Sequence, residues 1–357
     1  MPQQHERRRE RFASTLSAVE LDAALVTDLV NVRYLTGFTG SAGAVLVRAD
    51  GSAVLATDGR YELQCGEESP DVAVEITRSG RRALADLAVA AGAARLGFED
   101  QSLSVAAFRD LPHSVTWTPL GASIADLRMV KDATELDALR RACVATDEAL
   151  AEVLPRIGRG TTEQELARWL DDALRDRSEG PGFDTIVASG PNGAIPHHQP
   201  GDRPIETGDL VTMDFGARVD GYHADMTRTV LVGARPDAWQ REVYDAVHGA
   251  QAAGVAALSA GTSAATVDAA AREFIEAAGF GPRFVHGLGH GVGLQIHEAP
   301  YLGSSSGDKL AASVPVTVEP GVYLPGGGGV RIEDTVVVHS GRVESLTTSP
   351  RELLSVP

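Results

Sequence analysis

The sequence has little of several features that would point to other classes of protein. Its 357 residues include only two cysteines, Cys65 and Cys143, so neither a disulfide framework nor a cysteine-zinc site is expected. No run approaches the roughly 20 apolar residues that a membrane helix requires. The N-terminus shows no apolar segment typical of a secretory signal. The expected location is therefore the cytoplasm.

Basic residues are also in the minority. Lys and Arg number 32 against 49 Asp and Glu, and the net charge of −17 argues against nucleic acid or an anionic membrane as the partner. The composition, 43% hydrophobic and 23% charged, is typical of a globular protein. The length predicts two domains.

The first part of the chain predicts a small α/β domain on a mixed sheet. Short apolar runs of strand length alternate with turn signals such as Asp50-Gly51 and Asp58-Gly59. Strands are predicted at residues 23–27, 43–47, 53–57, 95–99 and 115–118, and helices at about 6–19 and 80–92. The predicted boundary near residues 121–131 divides the chain into domains 1–122 and 123–357.

The second domain contains an internal repeat. Asp132 and Glu135 have the spacing of a capping box and predict a helix to about residue 153. The segments 160–162 and 261–263, both Gly-Thr-Thr/Ser, each precede a predicted helix and then a strand. This pattern predicts an α+β domain of two duplicated halves related by a pseudo-two-fold axis.

Four carboxylates form the strongest motif in the sequence. Asp214 and Asp225 flank one predicted β-hairpin, and Glu319 and Glu333 flank another about a hundred residues later. If these acids converge in a low-dielectric setting, they repel one another unless cations lie between them. The motif therefore predicts a site for divalent metal ions.

The spacing of each pair predicts a hairpin register. A four-residue turn at 218–221 places Asp214 directly opposite Asp225, with side chains on one face about 5 Å apart. The midpoint between Glu319 and Glu333 is Gly326, inside a glycine run. That run lacks the Lys-Ser/Thr ending of a phosphate loop and predicts a tight turn.

His290 lies between the acid pairs in the glycine-rich segment His286-Gly-Leu-Gly-His-Gly-Val-Gly and is predicted as a further ligand. Oxygen donors with one imidazole favour Mn²⁺, Co²⁺ or Fe²⁺ over structural zinc. Four carboxylates suffice to hold two ions about 3.5–4 Å apart. Residues 303–307 match the letters of the serine-hydrolase elbow but have no helix signal after them, so a surface loop is predicted.

These motifs resemble those of a known family. They are Met-Asp214-Phe-Gly, Asp225-Met-Thr-Arg-Thr, His290-Gly, His297-Glu, Val-Glu319-Pro-Gly-Val-Tyr and Arg331-Ile-Glu333-Asp. They resemble the pita-bread metallopeptidases of family M24, and among them the Xaa-Pro peptidases, aminopeptidase P and prolidase. The likeness covers residues 127–357. Residues 31–40 and 57–61 are similar to the creatinase-type N-terminal domain of small bacterial two-domain members.

The resemblance implies a creatinase-like α/β domain followed by a pita-bread catalytic domain. It also implies an exopeptidase that hydrolyses the bond between an N-terminal residue and a following proline in di- or oligopeptides. Asp225 and Glu333 would bridge two ions, Asp214 would bind one, and His290 with Glu319 the other. The implied ions are Mn²⁺, with Co²⁺, Fe²⁺ or Zn²⁺ as alternatives, and the expected assembly is a homodimer.

The resemblance also implies catalytic roles. Glu319 would take the proton of the attacking water and pass it to the proline nitrogen. His197, His286 and His297 match histidines that polarise the carbonyl and stabilise the tetrahedral intermediate. Arg331 matches an arginine that orients the bridging Glu333.

Several alternatives stay open from the sequence. His198 follows His197 and could share its role, and Arg60 and Tyr61 suit either a substrate entrance in a partner subunit or a structural role. The sequence does not separate a dipeptidase from an aminopeptidase P. A methionine-aminopeptidase-like enzyme and a non-catalytic peptide-binding member of the fold are further alternatives.

Overall fold

The computed structural model describes residues 2–233 and 235–357, which form two compact units. The N-terminal unit extends to Arg128, and the C-terminal unit begins at Met129. Each unit has its own hydrophobic core. Among the described residues, no helix combines the length and apolarity needed to cross a membrane.

The N-terminal unit is a mixed β-sheet with helices packed on it. Its strands are β1 (Ala23–Val26), β2 (Gly43–Arg48), β3 (Ala53–Thr57), β4 (Ala73–Ile76), β5 (Arg95–Phe98) and β6 (Thr116–Pro119). Its helices are α1 (Pro2–Ala18), α2 (Leu29–Thr36), α3 (Glu62–Glu68), α4 (Gly80–Ala90), α5 (Val105–Arg109) and α6 (Ser123–Met129), which ends at the boundary. The sheet order is β4-β3-β2-β1-β5-β6, and β2 is antiparallel to both of its neighbours.

Burial explains which of these elements the sequence reveals. The side chains of β1 are all buried, and its apolar run marks it clearly. The edge strand β4 is mostly exposed, so no apolar run predicts it. The core lies between the sheet and α4 and includes Leu25, Leu46, Leu84 and Leu96. Burying each such side chain contributes about 1.5–3 kcal/mol.

Arg60 and Tyr61 lie in a 3₁₀ turn after β3. Arg60 pairs with Asp58 at 2.8 Å, and the Tyr61 hydroxyl lies 2.5 Å from that of Ser41. The Tyr61 ring meets the ring of Phe38 edge-on, with centroids 5.6 Å apart. Both side chains therefore have partners within the N-terminal unit.

The C-terminal unit combines helix pairs with two main sheets. Its helices are α7 (Ala133–Val153), α8 (Glu163–Arg175), α9 (Ala238–Ala257) and α10 (Ala264–Ala277). Its strands are β7 (Ile186–Ser189), β8 (Leu210–Phe215), β9 (Arg218–Val219), β10 (Tyr222–His223), β11 (Met226–Val232), β12 (Gly289–Gly291), β13 (Glu298–Leu302), β14 (Val314–Val318), β15 (Gly321–Leu324), β16 (Gly328–Arg331), β17 (Asp334–His339), β18 (Arg342–Ser345) and β19 (Ser355–Val356).

The predicted duplication is visible in the order of these elements. Helices α7 and α8 precede the antiparallel set β7-β8-β11, and α9 and α10 precede the antiparallel set β12-β14-β17. The remaining strands extend these sets or form two small hairpins, β9-β10 and β15-β16. The structure thus confirms the predicted α/β unit followed by a duplicated α+β unit.

The helix starts agree with the capping signals in the sequence. The Asp132 side chain accepts hydrogen bonds from the backbone of α7, and the Glu135 side chain accepts one from the backbone N–H of Asp132. Thr162 and Glu165 form the same reciprocal cap on α8. Each cap satisfies two backbone N–H groups that a helix otherwise leaves unpaired. These caps fix where the helices of the first half begin.

Candidate metal centre

The four acids lie at equivalent places in the two halves. Asp214 lies near the end of β8, and Glu319 directly follows β14. Asp225 directly precedes β11, and Glu333 directly precedes β17. Because β8 pairs with β11 and β14 with β17, each half delivers two acids from neighbouring strands.

The first hairpin differs from the predicted register. Strand β8 pairs with β11 so that Asp214 lies opposite Thr227, and not opposite Asp225. The chain reverses at Asp220 and Gly221, which have φ of 50° and 77°. An Asp-Gly pair favours a two-residue turn with positive φ at both positions, which takes precedence over the predicted four-residue turn. The prediction that the two acids face each other across the hairpin is therefore wrong.

The second hairpin has the predicted register. Gly321 pairs with Arg331 and Leu324 with Gly328, which centres the turn on Gly326. Gly326 has φ of +78°, a conformation that favours glycine. The glycine run is therefore a tight turn, as predicted. The Gly-x-Ser-x-Gly match at residues 303–307 is also confirmed as a loop, since no helix follows it.

His290 lies on β12 with its ring oriented by the backbone. Its Nδ1 donates to the carbonyl of Gly291 at 3.0 Å, so Nε2 faces the acids. Nε2 lies 3.3 Å from Glu319 and 3.6 Å from Asp225. Glycine is needed beside it, because a Cβ at Gly289 would lie 2.1 Å from the carbonyl oxygen of Thr317.

The acids and His290 converge as the sequence predicts. Ligand atoms of Asp225, His290 and Glu333 all lie within 4.8 Å of one another. Asp225 and Glu333 are 5% and 2% exposed. Two carboxylate oxygens in this cluster, Oδ1 of Asp214 and Oε1 of Glu333, are buried with no hydrogen-bond partner. Such atoms are rare in folded proteins and indicate a missing partner, here a cation.

The acids differ in how strongly they hold a proton. Burial and the charges of neighbouring acids raise the pKa of Asp225 and Glu333 well above their usual values. Burial also raises the pKa of Asp214, although Arg331 opposes it. Burial would raise the pKa of Glu319 too, but its contact with His290 holds that pKa below its usual value.

This donor set fits divalent metal ions. Four carboxylates supply hard oxygen donors, and one imidazole nitrogen is turned towards them. Bound cations would neutralise the repulsion that raises the pKa of Asp225 and Glu333. The two orphaned oxygens supply free positions for coordination. A divalent metal centre therefore fits the residues present.

Arg331 connects several residues around the centre. Its Nη2 donates to Asp214 Oδ2 at 2.6 Å, and its Nε donates to the Thr227 hydroxyl at 3.0 Å. That hydroxyl donates in turn to Glu333 Oε2 at 2.7 Å. The resemblance implies that Arg331 lies beside Glu333 and orients it. In the structure its direct acidic partner is Asp214, and it reaches Glu333 through Thr227.

The three predicted non-ligand histidines surround the cluster differently. His297 is exposed, and its ring meets that of His290 edge-on at 4.4 Å. His197 is also exposed, and it directly follows Pro196, whose carbonyl accepts a hydrogen bond from Arg331 Nη1 at 3.2 Å. Burial lowers the pKa of His286. In His286, Nδ1 donates to the carbonyl of Gly287 at 2.8 Å.

Tyr323 is a site residue that the sequence did not single out. Its hydroxyl lies 2.8 Å from His286 Nε2 and accepts a hydrogen bond from Arg331 Nη1 at 3.1 Å. Thr317 is a second, since its hydroxyl lies 3.2 Å from Glu319 Oε1. Thr317 lies two residues before Glu319, in β14, and Tyr323 lies four residues after it, in β15. Only that proximity could have indicated them.

Known proteins resemble the whole chain. Residues 137–340 match the Metallopeptidase family M24, and residues 8–130 match the Creatinase/Prolidase N-terminal domain. The Xaa-Pro dipeptidase of Pyrococcus furiosus is 35% identical over 352 residues, which are 97% of this chain and 99% of that protein.

Solved structures show the same likeness. The Xaa-Pro dipeptidase from Bacillus anthracis superposes with a TM-score of 0.94 at 36% identity, over 98% of this chain and 99% of that one. The X-Pro aminopeptidase from Thermotoga maritima gives a TM-score of 0.88 at 34% identity, over 94% of this chain and 98% of that one.

Proposed function

We propose that this chain is a two-metal exopeptidase. The chain belongs to metallopeptidase family M24 and is therefore a peptidase. Its proposed substrate is a peptide with proline in second position, and the bond before that proline is cleaved. The observation that supports this proposal is the buried acid cluster, in which two carboxylate oxygens have no hydrogen-bond partner. Buried oxygens without a partner are rare in folded proteins, and a bound cation would supply one.

The proposed metal ligands are Asp214, Asp225, His290, Glu319 and Glu333. Divalent cations held there supply positive charge that lowers the pKa of an attacking water and polarises the peptide carbonyl. Asp225 and Glu333 would hold the ions together, because they come from different halves of the unit and their ligand atoms lie within 4.8 Å of each other. Mn²⁺ is the proposed ion, since oxygen donors dominate the set.

Glu319 is the proposed proton carrier. Its carboxylate lies 3.3 Å from His290 Nε2, within the cluster of proposed metal ligands, so it is placed to accept a proton from a water bound there. The same carboxylate then delivers the proton to the proline nitrogen as the bond breaks.

His197 and His297 are the proposed donors to the substrate. Both side chains are exposed, so a peptide can reach them. The His297 ring meets that of His290, and His197 follows Pro196, whose carbonyl contacts Arg331. A positioned N–H donor stabilises the oxygen on which negative charge develops, and removing one typically costs about 100-fold or more in kcat. His286 supports the site through the Tyr323 hydroxyl, since both of its ring nitrogens have partners within the chain.

The names of the relatives support two substrate lengths. The Pyrococcus furiosus and Bacillus anthracis proteins are Xaa-Pro dipeptidases, and the Thermotoga maritima protein is an X-Pro aminopeptidase. We assign the dipeptidase activity first, with aminopeptidase activity as the second candidate. A cytoplasmic location and a homodimer complete the proposal, and light scattering of the purified protein tests the dimer.

Hydrolysis of Ala-Pro, Ala-Pro-Ala and Ala-Ala-Ala by the Mn²⁺-loaded protein tests the function. Cleavage of Ala-Pro alone is expected for a dipeptidase, and cleavage of Ala-Pro-Ala indicates an aminopeptidase. The Glu319→Gln variant, purified in the same way, controls for contaminating peptidases. No hydrolysis of either proline peptide, with metal content confirmed, would refute the proposed function.

A further inference from the structure

Glu163 is a buried carboxylate outside the metal centre. It is the first residue of α8, and its side chain is fully buried. Burial opposes its ionisation, yet hydrogen bonds from Asn192 and His198 hold its pKa below its usual value. A buried carboxylate is stable only when such donors surround it. The segment that contains these donors, residues 189–201, is therefore held against the start of α8.

These donors come from Ser189, the last residue of β7, and from the loop that follows it. Oε1 accepts from the backbone N–H and the hydroxyl of Ser189, both at 2.8 Å, and from Asn192 Nδ2 at 2.9 Å. Oε2 accepts from His198 Nε2 at 2.8 Å and from the backbone N–H of Gly201 at 3.2 Å. One side chain thus gathers the segment 189–201, which carries His197.

The opposite side of the same loop contacts the metal centre. Arg331 Nη1 donates to the carbonyl of Pro196 at 3.2 Å, and Arg331 also pairs with Asp214. The backbone of Gly193 lies so close to Gly329 that a Cβ on Gly329 would lie 2.1 Å from its carbonyl oxygen. The loop is therefore held between Glu163 on one side and the ligand-bearing hairpin on the other.

The histidine doublet is divided between these two sides. The side chain of His198 is 16% exposed and is directed to Glu163, whereas His197 is exposed and directly follows Pro196, whose carbonyl contacts Arg331. Because an ionised Glu163 can only accept, His198 Nε2 carries the donated hydrogen. His198 is thus engaged in holding the loop, while His197 stays available to a substrate.

We infer that Glu163 and His198 are positioning residues that hold His197 in place for its role at the substrate. The inference rests on the proposed function, since it assigns His197 a contact with the peptide. It also gives the two adjacent histidines different roles. His197 would contact the substrate, and His198 would affect the reaction only by holding His197 in position.

A double-mutant cycle tests this assignment. In the Mn²⁺-loaded protein, His198→Ala is expected to lower kcat for Ala-Pro about 10-fold, as the loss of an orienting partner typically does. In the His197→Ala background the same change is expected to alter kcat by less than about 2-fold, because the residue being positioned is already absent. Equal losses in both backgrounds would overturn the inference, as would a wild-type rate for His198→Ala.

A conservative variant separates positioning from proton transfer. The amide nitrogen of His198→Gln can still donate to Glu163, so this variant is expected to retain kcat within about 2-fold of wild type and an unchanged pH profile. A loss as large as that of His198→Ala would overturn the inference. His339→Ala is the matched control, because His339 Nε2 lies 2.6 Å from Glu344 in the same unit.

Hydrogen exchange gives a readout that does not depend on activity. Amides of residues 190–201 are expected to exchange faster in His198→Ala than in wild type, and at the wild-type rate in His339→Ala. Unchanged exchange in His198→Ala would overturn the inference. Inactive wild-type protein with full metal content would instead refute the proposed function, and with it the role assigned to His197.

Discussion

Glu333 and Asp334 are neighbouring buried carboxylates, and neutralising each is expected to change the stability of the metal-free protein in opposite directions. Asp334 accepts hydrogen bonds from Arg228 at 2.7 Å and from Gln251 at 2.8 Å, and it also pairs with Arg351. Glu333 accepts one from Thr227, while its Oε1 has no partner and acids surround it. Asp334 is thus compensated, and Glu333 is not.

The size of each effect follows from these surroundings. Ligand atoms of Asp225 and Glu333 lie within 4.8 Å, so their unit charges repel by about 3.5 kcal/mol at an effective dielectric constant of about 20. Protonation relieves part of this repulsion, so Glu333→Gln is expected to stabilise the metal-free protein by about 1–3 kcal/mol. Asp334→Asn leaves the buried Arg228 without its countercharge and is expected to cost about 3–5 kcal/mol.

The gain from Glu333→Gln should grow with pH. Burial and the nearby acids raise the pKa of Glu333 well above its usual value. Above the unfolded pKa the folded protein therefore binds a proton that the unfolded chain has lost, and stability falls as pH rises through the folded pKa. The variant lacks this loss, so its advantage over wild type is smallest at pH 5 and largest at pH 8.

Thermal unfolding of EDTA-treated protein, followed by circular dichroism at pH 5 and pH 8, measures these differences. For a unit of this size, 1 kcal/mol corresponds to about 2–4 °C in Tm. Mn²⁺ at about 100 times its Kd should stabilise wild type by about 2.7 kcal/mol. Glu333→Gln should lose most of that gain. A metal-free Glu333→Gln that melts below wild type at pH 8, or one that keeps the full Mn²⁺ effect, would refute the reasoning.

Three further predictions concern the same centre. Glu319→Gln is expected to lower kcat for Ala-Pro at least about 100-fold, because it removes the proton carrier, and to weaken metal retention; steady-state rates and metal analysis after dialysis check both, and wild-type rates would contradict the role. Tyr323→Phe breaks the link between Arg331 and His286 and is expected to lower kcat about 10-fold with little change in Tm; an unchanged kcat would contradict it. Burial and the charge of Glu333 raise the pKa of Asp225, so Mn²⁺ binding should release protons and weaken as pH falls; calorimetry in two buffers should give different heats, and equal heats would contradict this.

Local sequence patterns predict those elements whose geometry depends only on neighbouring residues. The hairpin centred on Gly326 follows from its glycine run, and the start of α7 follows from the capping spacing of Asp132 and Glu135. The register of the first hairpin did not follow, because the predicted four-residue turn at 218–221 contains the two-residue Asp-Gly turn that the chain forms. Two turn lengths compete over the same letters there, and one choice shifts every cross-strand pair.

Contacts between the halves could not be predicted from spacing. Arg331 and Asp214 are more than a hundred residues apart, and so are Thr227 and Glu333. Their pairing depends on how the two sheets meet, which no local pattern specifies. The same holds for Glu163, whose role is visible only when the loop that it gathers is in place.

The duplication explains why the two acid pairs are alike, and His290, which has no counterpart in the first half, explains how they differ. Thr227 donates to the Glu333 side chain, and Thr335, at the equivalent place in the other half, donates to the backbone carbonyl of Asp225. The halves therefore anchor each other reciprocally. His290 breaks this symmetry, because β12 carries it whereas the equivalent strand β7, Ile-Val-Ala-Ser, carries no ionisable side chain. His290 contacts Glu319 and lowers its pKa, while burial and neighbouring acids raise the pKa of the other three acids. One imidazole added to a duplicated scaffold thus makes the surroundings of Glu319 differ from those of its counterpart Asp214, which pairs with Arg331 instead.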